Sequence, residues 1–348
     1  ISRLYSMTVK SSHITAREIW FEKPRQVEVR ESQIRSPEPG EVIVSTQYSA
    51  VSAGSELLVY RGEAPNDIPL DSTIESLQSD LEYPLRYGYS CVGEVIEVGS
   101  RAESSWKGRK VFCFHPHASH FLAKATDLLE IPEAISLRDA IFLPNMETAV
   151  NLAQDGKPLF GESVVILGQG VVGLLLSELM SQFPLASLVS FEKERHRSDW
   201  SKLAGVNKVF NPDELTDAEL SSVSNADLLY EVSGRPEALN LAIKLSGFSS
   251  RIVIGSWYGN KASEVQLGSH AHRNRLQLVT SQVSTIEPDL TGRWDKKRRI
   301  ELVWNMIDKL QPSKFITHLA PISEAPDLYK RLSDKEEKLL QVVFKYDD

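Results

Sequence analysis

The sequence predicts an α/β protein in two parts, a β-rich half followed by a doubly wound parallel sheet. Three observations predict it. From Arg17 to about Lys124, short strand-like segments alternate with turn chemistry. After about Pro144, continuous apolar runs alternate with helical stretches, as in a parallel sheet covered on both faces. The length of 348 residues fits two domains, at about 100–200 residues each.

The first half reads as the strands EIWFE and QVEVRE, the turn SPEPG (36–40), the strand EVIVSTQYSAVSA, then GEVIEVGS and RKVFCF. Residues 62–87 lack strand alternation and read as a long connection with one helical stretch, of the kind that borders sites. The second half gives strand SVVILG, a helix from Val172 to Gln182, strand SLVSFE, a helix from Arg195 to Ala204, and strands KVF and DLLYEVS. A helix from Pro236 to Leu245 and strands RIVIGS and LQLVTSQ follow. The tail holds helices at Lys297–Leu310 and Ala325–Leu332 and a last strand, LLQVVFKY. The basic cluster RWDKKRR (293–299) reads as a solvated helix face.

Charge and cysteine usage narrow the function. Thirty-nine basic and 47 acidic residues leave a net charge of −8, which argues against nucleic acid and for a small organic substrate. Two cysteines cannot build a Cys₄ zinc site or a disulfide scaffold, and unpaired thiols in the strands around Cys91 and Cys113 fit a reducing cytoplasm. The best apolar run, VVILGQGVVGLLL, is interrupted by Gln169 and three glycines, short of the roughly 18 apolar residues of a membrane span. The start, ISRLYSMTVKSSHITAR, fits either a cloning scar ahead of Met7, the favoured reading, or the remains of an organellar transit peptide.

The strongest motif is SVVILGQGVVG. Gly168, Gly170 and Gly173 form G-x-G-x-x-G between an apolar strand and a helix, the Rossmann fingerprint. The first glycine permits the tight turn, the second admits a pyrophosphate to the backbone, and the third lets helix and strand pack. The cofactor contacts expected there are Gly168, Gln169, Gly170, Val171, Val172 and Gly173. Glu192 ends the next strand 19 residues beyond Gly173, where an acid would accept hydrogen bonds from the adenosine ribose and repel a 2′-phosphate. NAD is therefore the first choice. Lys193, Arg195 and Arg197 leave NADP possible.

With this motif in its second half, the chain resembles the medium-chain dehydrogenase/reductase superfamily, the zinc alcohol dehydrogenase-like proteins, nearly end to end. The resemblance implies a GroES-like catalytic domain over 1–145 and 285–348, interrupted by a Rossmann domain over 146–284. It also implies Ser233 and Ser256 near the nicotinamide, Thr148 packed beside it, and Arg197 reaching the ribose. Where the zinc enzymes have C-G-[ST]-D-x-H, this chain has Ala53-Gly54-Ser55-Glu56-Leu57-Leu58. The G-H-E segment is Gly88-Tyr89-Ser90, and the last ligand position is Pro144. None of Ala53, Tyr89 or Pro144 is a zinc ligand, so the resemblance implies a zinc-free branch. Ser55 then falls at a proton-relay hydroxyl and Tyr89 where a ligand would face substrate, the alternatives being a strand-end serine and a packed tyrosine. Glu56 and Asn145 are polar groups expected at the substrate pocket.

In CFHPHASH, an extended strand would put Cys113, His115 and His117 on one side. That leaves open a relocated metal, a substrate-pocket role for His115 or His117, or packing; His270 and His272 read as packing or subunit contact. The resemblance implies a zinc-independent NAD(P)-dependent oxidoreductase acting on a secondary alcohol or ketone of a fairly large organic substrate. SAVSAGSELLVYRG and YPLRYGYSCVGEVIEVG look most like bacteriochlorophyllide hydroxyethyl dehydrogenases. The alternatives are an NADPH-dependent quinone or enoyl reductase and a non-catalytic nucleotide-binding protein. A homodimer is expected through the sheet edge LQLVTSQ.

Overall fold

A computed structural model describes residues 14–67, 69, 81–336 and 338–346. The segment 1–13 and most of the helical stretch expected within 62–87 lie outside these residues.

The β-rich part opens with an antiparallel hairpin, Ile14–Lys23 on Gln26–Ile34, turning at Arg25. Its main sheet is seven-stranded and centred on Glu41–Ala50. On one side lie Cys91–Val98, Lys110–Cys113 and Leu128–Glu130; His120–Lys124 and Gln341–Lys345 pair along the other edge. Ile316–Pro321 extends the sheet beyond Gln341–Lys345. Strands from early and late in the sequence thus share one sheet. Cys91 faces Cys113 across paired strands, and both are buried free thiols.

The second sheet is parallel, in the order Lys208–Phe210, Ser187–Phe191, Ser163–Leu167, Ala226–Glu231, Ser246–Ile254 and Gln277–Thr280. Val164, Ile166, Leu228 and Tyr230 face one apolar cluster while Val165, Leu167 and Leu229 face another, which explains their unbroken apolar runs. The expected helices appear as Val171–Met180, Arg195–Leu203, Ala238–Leu245, Lys296–Leu310 and Ala325–Ser333. Among the described residues no helix is long and apolar enough to cross a membrane.

Several expectations need correction. The chain after Ala50 does not continue as strand but turns into a helix, Ala53–Arg61, closed by Gly62 in the left-handed region. Leu143–Gly156 is also helical, with Pro144 in its first turn, where a missing N–H costs nothing. The capping box Thr216–Glu219 starts an unexpected helix at Asp217.

The basic cluster is not wholly solvated. Arg299 is completely buried and pairs with buried Glu147, at 3.0 Å from its Nε. It also donates to the carbonyls of Thr285, at 2.9 Å, and Val283, while Lys296 reaches Glu147 at 2.7 Å. This group locks the segment 283–285 onto the helix Leu143–Gly156.

Candidate active site

The glycine loop is built as its spacing requires. Gly168 has φ +100°, and a Cβ there would lie 2.6 Å from Ser233 Cα. A Cβ on Gly173 would meet the Gly168 carbonyl at 2.1 Å, whereas Gly170 faces open space. The first intrahelical bond runs from Leu174 N to Gly170 O, so the amides of Val171, Val172 and Gly173 precede it and are available to an anion. The residues fit a dinucleotide pyrophosphate. Gln169 contributes no side chain to it: its amide is buried, accepting from Ser177 at 3.1 Å and Ser201 at 2.9 Å.

Glu192 takes on a second task beyond the one its position implied. Its carboxylate accepts Gln169 N at 2.8 Å and Glu194 N at 3.0 Å, bracing the loop from the neighbouring strand. Each oxygen keeps a lone pair for a ribose hydroxyl. Lys193 is paired with Asp213 at 2.7 Å, and Arg197 Nη2 turns to the Leu339 carbonyl at 3.4 Å.

At the end of the neighbouring strand Ala226–Glu231 stands Glu231, fully buried and missed by the sequence reading, although an acid closing the apolar run DLLYE was a signal. It accepts Ser233 N at 2.8 Å and the Tyr258 hydroxyl. Burial and this carboxylate hold the Tyr258 phenol well above its ordinary range, so it stays a donor. Ser256 Oγ accepts Gly234 N at 2.9 Å, and Thr148 bonds back to Pro144 O at 2.9 Å. Ser233 and Ser256 therefore shape the loops after their strands, and Thr148 bonds within its own helix.

The loop after Ser256 joins the two parts. Asn260 N donates to Glu63 O at 2.8 Å, and Trp257 packs with Ala53 and Tyr89 against one apolar cluster. This brings the helix Ala53–Arg61 over the carboxyl ends of the parallel strands, where such sheets bind ligands. There Ser55 Oγ and Tyr89 OH meet at 2.8 Å, both half-buried. Ser55 is in the first turn of a helix, not at a strand end. Asn145 is half-buried in the first turn of Leu143–Gly156.

Two expected pocket residues are not exposed to a pocket. Glu56 and His117 are completely buried and contact each other, Oε2 to Nε2, at 3.0 Å. His115 stacks on Phe121 with ring centroids 4.0 Å apart, and burial drives its imidazole down to about 3, keeping it neutral. The strand ends at Cys113, so Cys113, His115 and His117 do not align on one side. His270, which is exposed, has its Nε2 2.8 Å from the Ser246 carbonyl.

Zinc is a poor match for the positions that the resemblance gives to its ligands. Ala53, Tyr89 and Pro144 offer a methyl, a phenol and a pyrrolidine ring, where zinc takes thiolate, imidazole or carboxylate. Among the described residues no group of three His, Cys, Asp or Glu is arranged to hold a metal.

No protein-family model matches the chain. D-guloside 3-dehydrogenase of Escherichia coli K12 is 23% identical over 337 residues, covering 90% of this chain and 94% of its own. The 2-desacetyl-2-hydroxyethyl bacteriochlorophyllide A dehydrogenase of Cereibacter sphaeroides is 24% identical over 327 residues, covering 88% and 91%. Among solved structures, a short chain alcohol dehydrogenase (rspB) of E. coli CFT073 complexed with NADH superposes with a TM-score of 0.77 at 19% identity, covering 95% of this chain and 99% of that one.

Proposed function

We propose that the chain is a member of the medium-chain dehydrogenase/reductase superfamily, the zinc-type alcohol dehydrogenase-like proteins, and within it a zinc-independent, NAD-linked enzyme that interconverts a secondary alcohol and a ketone. The observation that carries this reading is the Ser55–Tyr89 hydroxyl pair, 2.8 Å apart, at positions the resemblance gives to a relay and a metal ligand. The substrate is a fairly large organic alcohol. Two relatives support that class, one named for a glycoside and one for a bacteriochlorophyllide.

When bound, the nicotinamide supplies or accepts the hydride. The chain handles the other proton. At rest Ser55 donates to Ser52 O and Tyr89 to Ser55; when Ser55 instead donates to Tyr89, the Tyr89 O–H turns to the substrate oxygen, with Ser55 behind it. The Ser55–Ser52 bond is long, at 3.3 Å, so the switch of the Ser55 proton to Tyr89 gives up little. Asn145 is a further group for the substrate.

NAD is favoured because Lys193 is already neutralised by Asp213, leaving one fewer cation for a 2′-phosphate beside the Glu192 carboxylate. The domains are taken as 1–145 with 285–348, and 146–284. A homodimer through the free edge Gln277–Thr280 is part of this reading, since Leu278 is 41% exposed there. A cytoplasmic location accords with the facing free thiols of Cys91 and Cys113.

The test is to titrate the protein with NADH and NADPH, measure its metal content, and assay a panel of secondary alcohols, ketones and conjugated enones. NADH should bind more tightly, and Tyr89→Phe and Ser55→Ala should each lower turnover about tenfold or more. Stoichiometric zinc, tenfold tighter NADPH binding, or turnover confined to enones would each overturn its part of the reading.

A further inference from the structure

Ser55 and Tyr89 come from segments 34 positions apart, the start of the helix Ala53–Arg61 and the extended stretch Gly88–Ser90. A metal with ligands at positions 53 and 89 would tie these two segments together. With Ala53 and Tyr89 there, another link must hold them in register.

Behind the hydroxyl pair runs a buried polar chain. Glu56 Oε1 accepts Ser52 N at 2.6 Å, and Oε2 accepts the Tyr329 hydroxyl and faces His117 Nε2 at 3.0 Å. His117 Nδ1 meets Ser49 Oγ at 2.7 Å, and Ser49 Oγ meets Tyr346 OH at 2.7 Å. One direction satisfies every member: Tyr346 donates to Ser49, Ser49 to Nδ1, and Nε2–H to Glu56. Burial and the nearby Glu56 carboxylate hold the Tyr329 phenol well above its ordinary range, so it too remains a donor. In a low-dielectric interior such a chain is rigid when complete and costly when broken.

The chain grips both segments that carry the hydroxyls. Ser52 makes no side-chain cap for its helix; Glu56, the neighbour of Ser55, closes onto the Ser52 amide instead. On the other side the His117 ring lies directly on Gly88, the neighbour of Tyr89. A Cβ at Gly88 would be 2.7 Å from both Cδ2 and Nε2, so only glycine admits the ring. Phe344 holds the ring from its edge, with centroids 5.5 Å apart.

We propose that the buried Glu56–His117 contact is a positioning clamp that fixes Ser55 against Tyr89, doing the cross-linking that a metal would do at this place. The proposal rests on the proton-handling role given above to that pair. Its physical force is that misplacing a reacting group by 1 Å can cost about a hundredfold in rate.

The test uses the full chain with NADH bound and two variants. Glu56→Gln sets an amide among donors, and His117→Phe keeps the ring on Gly88 but abandons Glu56 and Ser49. In both, backbone amide hydrogen exchange should quicken at least tenfold in 53–58 and in 88–91. The glycine loop 164–176 should keep its protection and the NADH dissociation constant should stay within twofold. Turnover of any alcohol found by the panel should drop at least tenfold in kcat with KM for the nucleotide unchanged. If Glu56→Gln does not fold, Tyr329→Phe removes one donor and keeps the ring, and should quicken exchange in both segments about threefold. Unchanged exchange at 88–91 overturns the clamp, whatever turnover does. Full turnover by Tyr89→Phe overturns the catalytic reading alone, because the exchange result does not depend on substrate.

Discussion

Adding one methyl group at either of two neighbouring glycines should have opposite consequences. At Gly168 the backbone has φ +100°, which costs an L-residue about 1–2 kcal/mol. The new Cβ would also press on backbone at three points, Ser233 Cα at 2.6 Å and Ser233 N and Val232 O at 2.8 Å. Backbone cannot swing aside as a flexible side chain can, so crowding adds about 1–3 kcal/mol. Gly168→Ala should therefore lose about 2–5 kcal/mol, a large part of the roughly 5–15 kcal/mol that holds a domain together. Gly170 has φ −70° and ψ −175°, ordinary extended backbone, with nothing within 4 Å of its Cβ. Gly170→Ala should fold with stability within about 1 kcal/mol of the parent. Its methyl would nevertheless occupy the space before the amides of Val171–Gly173, and NADH affinity should fall at least tenfold, about 1.4 kcal/mol. Urea unfolding and NADH fluorescence titration separate the two effects. A parent-like Gly168→Ala unfolding curve, or parent-like NADH binding by Gly170→Ala, would refute the reasoning.

Three further outcomes are expected. Arg299→Met leaves buried Glu147 and the Val283 carbonyl to Lys296 alone and takes a donor from the Thr285 carbonyl and Asn151, and should cost about 2–4 kcal/mol, whereas Lys296→Met, on a half-exposed lysine, should cost under about 1 kcal/mol; equal losses in urea unfolding would contradict the burial argument. His115 titrates near 3 in the fold against an ordinary 6.5, so on acidification between these values the unfolded chain takes a proton that the native one refuses. Stability should fall by up to about 1.4 kcal/mol per pH unit across that window and show no His115 effect above it; parallel pH profiles for the parent and His115→Phe would sink the idea. Leu278→Arg puts a charge on the free edge strand and should yield monomers by sedimentation; an unchanged mass would remove that edge from the interface.

Much of the nucleotide half was readable because its signals are local. The glycines of 168–173 act on neighbours, and each strand declares itself by an apolar run buried on both faces. The helix Ala53–Arg61 was obscured by the small, mixed residues of SAVSAGS, which have no clear period of either kind. Ser55 and Tyr89 were identifiable by position, but their hydrogen bond was not. Arg299 looked exposed because Glu147, its partner, is 152 positions away, and Glu56 looked like a pocket residue because His117 is 61 positions away. Charge is visible in a string of letters; the burial that gives it meaning depends on distant segments.

The strand Glu41–Ala50 has its partners spread across the whole sequence, from Cys91–Val98 to Gln341–Lys345. On a ribosome this separates the timing of the two parts. The parallel sheet can close once Thr280 has emerged, but in the other sheet the Tyr48–Ala50 end of the central strand stays unpaired on one flank until Gln341–Lys345 is made. During that interval the bare edge near Ala50 is a template for pairing with other nascent chains. A stalled or truncated product would display it permanently.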